Sequence, residues 1–157
     1  MMKKTVFAVL ALVCGITLFA KDDIPEGWSD NYPAALRKAK AEKKNILVLF
    51  TGSDWCGFCI RLKKDVLDRK EFQRVAPAVY ELVYFDFPNR KKISASQMKM
   101  QRELADKWGV DGYPTTVIVS PEGEKIKSIV GYRNPEMYLK ELFPGLGKAD
   151  AGSSRKR

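Results

Sequence analysis

Cys56 and Cys59 lie in Trp-Cys-Gly-Phe-Cys, residues 55 to 59, and two thiols separated by two residues can close a disulfide and reopen it within one helical turn. The third cysteine, Cys14, falls in an N-terminal segment that reads as a secretion leader, which leaves the pair no other cysteine to bond with in the mature chain. Redox chemistry is the first expectation. Two other uses of the pair stay open, a permanent staple and a metal site. A staple across three residues closes only a short loop and stabilises little. Two thiolates make half of a tetrahedral zinc site, and with no histidine in the chain the other ligands would have to be carboxylates or come from a second chain. No metal or other cofactor is expected. The missing imidazole also excludes Ser-His and Cys-His catalysis in their usual forms.

The two sulfurs should differ. A cysteine in the first turn of a helix meets unpaired backbone N–H groups and the positive end of the helix dipole, both of which favour thiolate. Cys56 has that place; Cys59, one turn further in, should be more buried and less ionised. Cys56 is therefore expected to attack a substrate disulfide and Cys59 to resolve the mixed disulfide. Gly57 should give the backbone a tight path between the sulfurs and admit a substrate chain. Phe58 adds no charge, and Asp54 should oppose thiolate formation slightly. A moderately lowered thiol pKa and a reducing couple follow. Trp55 reads either as core or as an apolar shield that a bound peptide would touch.

Around this motif the chain supplies a scaffold. Tyr32, Ala35, Leu36 and Ala39 recur at helical spacing with Pro33 in the first turn, predicting a helix that ends near Lys43. Ile46 to Phe50 is an unbroken apolar run suited to a central strand buried on both faces. Thr51-Gly52-Ser53-Asp54 stops it, and a helix follows with Cys59, Leu62 and Val66 on one face. Val79 to Phe85 reads as a second strand. Ser94 with Gln97 reads as a capping box for a helix running to Trp108, with Met100, Leu104, Ala105 and Trp108 inward. Thr115 to Val119 and Lys125 to Val130 form a hairpin across Pro121-Glu122-Gly123. Pro135 to Leu142 closes the domain as a helix with Tyr138, Leu139 and Leu142 inward. The order after the first helix is β-α-β-α-β-β-α, a mixed sheet with helices on both faces.

Lys3 and Lys4, the apolar run Val6 to Phe19, and Ala20 before Lys21-Asp22-Asp23 have the order of a signal peptide cleaved after Ala20. The apolar run is shorter than the roughly 20 residues of a membrane span, and Val13 is large for a lipid-modified Cys14. Export would place the pair where disulfides persist. Removing 20 of 157 residues leaves 137, one domain by length. The net charge of +9 drops to +7 when Lys3 and Lys4 leave, and the remainder is spread over solvated helix faces and the tail. Nucleic-acid binding is not expected. The organisation is a signal peptide at 1–20, a domain at 21–144 and a disordered basic tail at 145–157.

Phe50-Thr51-Gly52-Ser53-Asp54-Trp55-Cys56-Gly57-Phe58-Cys59, followed downstream by Gly112-Tyr113-Pro114-Thr115-Thr116, resembles the thioredoxin-like superfamily over residues 28 to 143, and is most similar to exported bacterial members with a Trp-Cys-x-x-Cys site. The resemblance implies an α/β three-layer sandwich, a catalytic pair at Cys56 and Cys59, and a cis Tyr113–Pro114 peptide whose loop lies against the disulfide and pairs with substrate. Trp55, Gly57, Phe58, Tyr113, Pro114 and Thr115 are then the expected substrate contacts. By itself the sequence would allow Pro114 to open a strand in trans, the commoner isomer. One departure stands out: thioredoxins carry a buried acid beneath the cysteines, whereas Ile46 to Phe50 is apolar throughout. The motif also lacks the Gly-Pro of thioredoxins and the histidine of strong oxidases.

The expectation is an exported thiol-disulfide oxidoreductase, a monomer in the periplasm or medium. It would act as a reductase on protein or peptide disulfides or as a relay from a membrane-bound electron donor. A non-catalytic module holding peptides or a partner in the proline-loop groove is the alternative.

Overall fold

The structure is a computed structural model and describes residues 24–145. The predicted leader, and all but the first residue of the predicted tail, lie outside the described residues.

Helix α1 (Tyr32–Glu42) starts where Asn31 accepts the Ala34 N–H at 3.0 Å and stops where Lys43 turns left-handed at φ 54°. Strand β1 (Asn45–Thr51) is buried from Ile46 onward. It pairs in parallel with β2 (Tyr80–Asp86), Leu47 opposite Leu82, and antiparallel with β3 (Thr115–Val119), Leu47 opposite Ile118. Strand β4 (Lys125–Val130) completes the sheet in the order β2-β1-β3-β4. The strand carrying the cysteine motif is thus central, as its apolar run requires.

Between β1 and β2 the chain is more helical than the sequence pattern indicates. Helix α2 (Gly57–Leu62) passes into a π turn over Lys63–Leu67, and a further helix α3 (Lys70–Val79) precedes β2. The expected order lacked α3, whose Pro77 sits inside the helix and whose buried side chains are only Phe72 and Ala76. Helix α4 (Ala95–Trp108) is capped by Ser94, which accepts the Gln97 N–H at 3.1 Å. The Gln97 side chain does not complete the expected box; its Nε2 donates to the Asp30 carbonyl. Helix α5 (Pro135–Leu142) begins at Asn134, whose side chain accepts the Met137 N–H.

Alternation along the strands divides the core in two. Ile46, Val48, Phe50, Val83, Phe85, Val117 and Val119 face α1 and α4 with Trp108 and Tyr32. Leu47, Leu49, Leu82, Tyr84, Ile118 and Ile129 face α2, α3 and α5 with Leu62, Phe72 and Tyr138. Each fully buried Leu or Phe contributes about 1.5–3 kcal/mol, so the sheet is held from both sides and the end of β1 is a firm platform. The architecture is a three-layer α/β sandwich, a mixed sheet with helices on both faces, as the resemblance implies.

Candidate functional site

At the C-terminal end of β1 the chain turns through Gly52 to Trp55, and Cys56 becomes the N-cap of α2. Its Sγ accepts the Cys59 N–H at 3.3 Å. Cys56 and Cys59 are joined in a disulfide, with their Cα atoms 5.2 Å apart. Cys56 is 8% exposed and Cys59 3%, and the Cys59 sulfur also accepts the Gly52 N–H at 3.5 Å. The outer sulfur sits at a helix start, where backbone amides favour thiolate; the inner one is enclosed.

The second wall of the site is the loop before β3. The Tyr113–Pro114 peptide is cis, and the Tyr113 carbonyl lies 3.7 Å from Cys56 Sγ. In the dithiol form that carbonyl can accept the Cys56 thiol proton. The Pro114 carbonyl accepts the Gly131 N–H at 2.8 Å, which ties this loop to the segment after β4.

Six hydrogen bonds fasten the turn before the cysteines to the end of β2. Phe87 N–H donates to the Thr51 carbonyl at 2.8 Å, and the Asp86 carboxylate accepts both the N–H and the hydroxyl of Ser53. Trp55 Nε1 donates to the Phe87 carbonyl at 2.7 Å. In the reverse direction, the Asp54 carboxylate accepts the Asn89 and Arg90 N–H groups at 2.9 and 2.7 Å. These amides hold the Asp54 carboxyl below its ordinary range, Asn89 contributing most. The charge of Asp54, expected to disfavour a thiolate, is engaged on this loop.

Trp55 is not core: it is 46% exposed, with its ring edge-on to Tyr113 at 5.9 Å. Its indole covers Gly52, where an added Cβ would come within 2.6 Å of Nε1. The need for a bare backbone is therefore at Gly52. Gly57 is an ordinary helical residue whose Cβ position is open, so the expected tight path between the sulfurs does not explain it, while its exposure leaves Cys56 approachable. Phe58 is 63% exposed beside the sulfurs. Thr115 lies beneath this surface, buried, with its hydroxyl donated to the Gly112 carbonyl, so it holds the loop and offers substrate no side chain. Trp55, Phe58, Tyr113 and Pro114 are brought together around Cys56.

Sequence reasoning missed Ser53, Asp86, Phe87 and the role of Asp54. It also missed Tyr132, whose ring packs on Phe58 and whose hydroxyl donates to Asp65 at 2.8 Å. That bond is the main reason the Asp65 carboxyl is held low and the Tyr132 hydroxyl is pushed up. On the face of β1 that packs against α2, Leu49 is buried in the cluster with Leu62, so the strand offers no acid there, and on the other face Phe50 packs with Phe85, Phe87 and Trp108. Among the described residues no group of three or more Cys, Asp or Glu converges in a way that could hold a metal ion.

A family model described as a thioredoxin-like domain matches residues 32–144. The chain belongs to that family. Among thioredoxin-like relatives, the disulfide bond reductase DsbH of Chlamydia pneumoniae is 33% identical over 97 residues, which span 62% of this chain and 58% of that protein. The chain thus covers little more than half the length of this curated relative. A solved structure of a DsbH oxidoreductase is similar with a TM-score of 0.65 at 26% identity, over 82% of this chain and 93% of that one. A thioredoxin from Thermus thermophilus follows with a TM-score of 0.57 at 28% identity, over 74% and 84% of the two chains.

Proposed function

We propose that this chain is an exported thiol-disulfide oxidoreductase that reduces protein or peptide disulfides, fed by an external dithiol donor that is itself held at a membrane. The observation that carries the reading is the unequal setting of the two sulfurs. Cys56 caps a helix under the Tyr113 carbonyl and borders exposed Gly57 and Phe58, whereas Cys59 is enclosed and fastened to Gly52.

The Cys56 thiolate attacks one sulfur of the substrate disulfide, forming a mixed disulfide and releasing the other substrate sulfur as a thiolate. The Cys59 thiolate then attacks Cys56 Sγ, closing the Cys56–Cys59 disulfide and releasing the second substrate thiolate. Two electrons pass to the substrate, and two protons from solvent and the reacting thiols complete its dithiol. A dithiol donor reopens the pair by the same exchange and leaves as a disulfide. Trp55, Gly57, Phe58, Tyr113 and Pro114 would contact the substrate chain.

Support for the reducing direction comes from the motif, which holds no histidine or arginine to stabilise the Cys56 thiolate, and from the similarity to a protein named as a disulfide bond reductase. Export is supported by the order of Lys3, Lys4, the apolar run and Ala20.

With dithiothreitol as donor, the wild-type chain should reduce insulin disulfides, and Cys56→Ser and Cys59→Ser should not. Equal rates in all three contradict the reading. Equilibrated with glutathione, the couple should lie at about −200 mV or below; a value near about −120 mV, that of a strong oxidant, overturns the direction.

A further inference from the structure

Phe58 is the most exposed large apolar side chain at the site, and it is not loose. Its ring stacks on Tyr132 with centroids 6.5 Å apart and planes 23° from parallel. The Arg61 guanidinium lies over the Tyr132 ring at 4.6 Å from its centroid. Asp65, in the π turn, accepts the Tyr132 hydroxyl at 2.8 Å and pairs with Arg61 Nε at 3.3 Å. The ring is held at its face and at its hydroxyl, so little entropy remains to be lost when a ligand covers it. Arg61, exposed over the ring, and Asp65 are paired with each other, so their charges offset beside the aromatic carbon of this wall.

The position of the wall determines what covers it. Exchange brings a substrate sulfur to within about 2 Å of Cys56 Sγ. Phe58 is two residues from Cys56 in the same turn, and Gly131, next to Tyr132, is bonded to Pro114, whose neighbour Tyr113 faces Cys56. Phe58 and Tyr132 therefore border the approach to Cys56.

We infer that Phe58 and Tyr132, with the Tyr132 ring set by Arg61 and Asp65, form a specificity wall that receives a large apolar side chain beside the reacting cysteine of a polypeptide disulfide. This rests on the oxidoreductase reading and adds to it the class of substrate. A flanking glycine leaves the wall uncovered.

The test compares kcat/KM for two synthetic peptides, each closed by one disulfide and differing only in a Phe or a Gly next to the reactive cysteine. Wild type should prefer the Phe peptide by about tenfold, expressed mainly in KM, as burial of part of an aromatic side chain would give. Phe58→Ala and Tyr132→Ala should bring that ratio close to one, whereas Tyr132→Phe, which keeps the ring, should retain most of it. Phe58 is exposed, so its truncation reads out specificity even if Tyr132→Ala proves unstable. A wild-type ratio near one, an unchanged ratio in Phe58→Ala, or a loss equal for both peptides overturns the inference. A dimer in sedimentation that depends on Phe58 does so too, because a second copy would then cover the wall. Wild-type inactivity on both peptides overturns the oxidoreductase reading, and the inference with it.

Discussion

The Asp86 carboxylate takes both donors of Ser53, its N–H at 2.8 Å and its hydroxyl at 2.5 Å. The two residues are 33 apart in sequence and meet because β1 and β2 run in parallel with Thr51 opposite Asp86. Ser53 follows Gly52, whose N–H points at the Cys59 sulfur, so a carboxylate at the end of one strand sets an amide that faces the inner thiol.

Removing that carboxylate should cost stability before it costs chemistry. Asp86→Ala leaves two partly buried donors without their acceptor and should destabilise the oxidised protein by about 1–3 kcal/mol in urea denaturation. Asp86→Asn keeps one acceptor and should recover part of the loss. Unchanged midpoints in both variants would mean that water replaces the carboxylate and that Asp86 does not fix the turn.

The Asp54 contacts predict a pH dependence with a definite sign. Its folded carboxyl titrates below the ordinary value of 3.8 because the Asn89 and Arg90 amides favour the anion. Its contribution is complete above that value and is lost as the pH falls through the lower folded value. Asp54→Asn should thus be less stable than wild type at pH 7, and the gap should close in acid, below about pH 4. A gap that persists unchanged in acid would show that the effect of the substitution is steric.

Gly52 and Trp55 form a pair that a double-mutant cycle can resolve. A Cβ at Gly52 meets the indole, so Gly52→Ala should displace the ring, break its bond to the Phe87 carbonyl and cost about 1–3 kcal/mol. In a Trp55→Ala background the same substitution should cost much less, because the ring it meets is gone. Additive losses would place the conflict elsewhere in the turn.

Features carried by contiguous residues were legible in the sequence. The apolar run at 46–50, the period of Tyr32, Ala35 and Ala39, and the hairpin turn at 121–123 each satisfy a local rule, and β3, β4 and α5 fall where those rules put them. Helix α3 was not legible, because Phe72 and Ala76 are too few to give a period and Pro77 argues against a helix. Cys56, Cys59 and Pro114 could be read from spacing and resemblance. Asp86, Phe87 and Tyr132 could not, since each reaches the site through strand register or chain return over 30 residues or more. The available signal was weak: Asp86 is the first acidic residue after the apolar Leu82 to Phe85. Gly57 was read as substrate-facing from its bare backbone and Thr115 from the resemblance; Gly57 offers open backbone, and Thr115 is turned inward by its bond to Gly112.

In the proposed reaction Cys56 attacks and Cys59 resolves. The most direct measurement is intact mass analysis of Cys59→Ser and Cys56→Ser after each reduced variant is mixed with a disulfide peptide. A stable mixed disulfide is expected on Cys56 in Cys59→Ser and little adduct in Cys56→Ser, where the remaining sulfur is enclosed. Equal adducts on both variants, or an adduct on Cys59 alone, would contradict it.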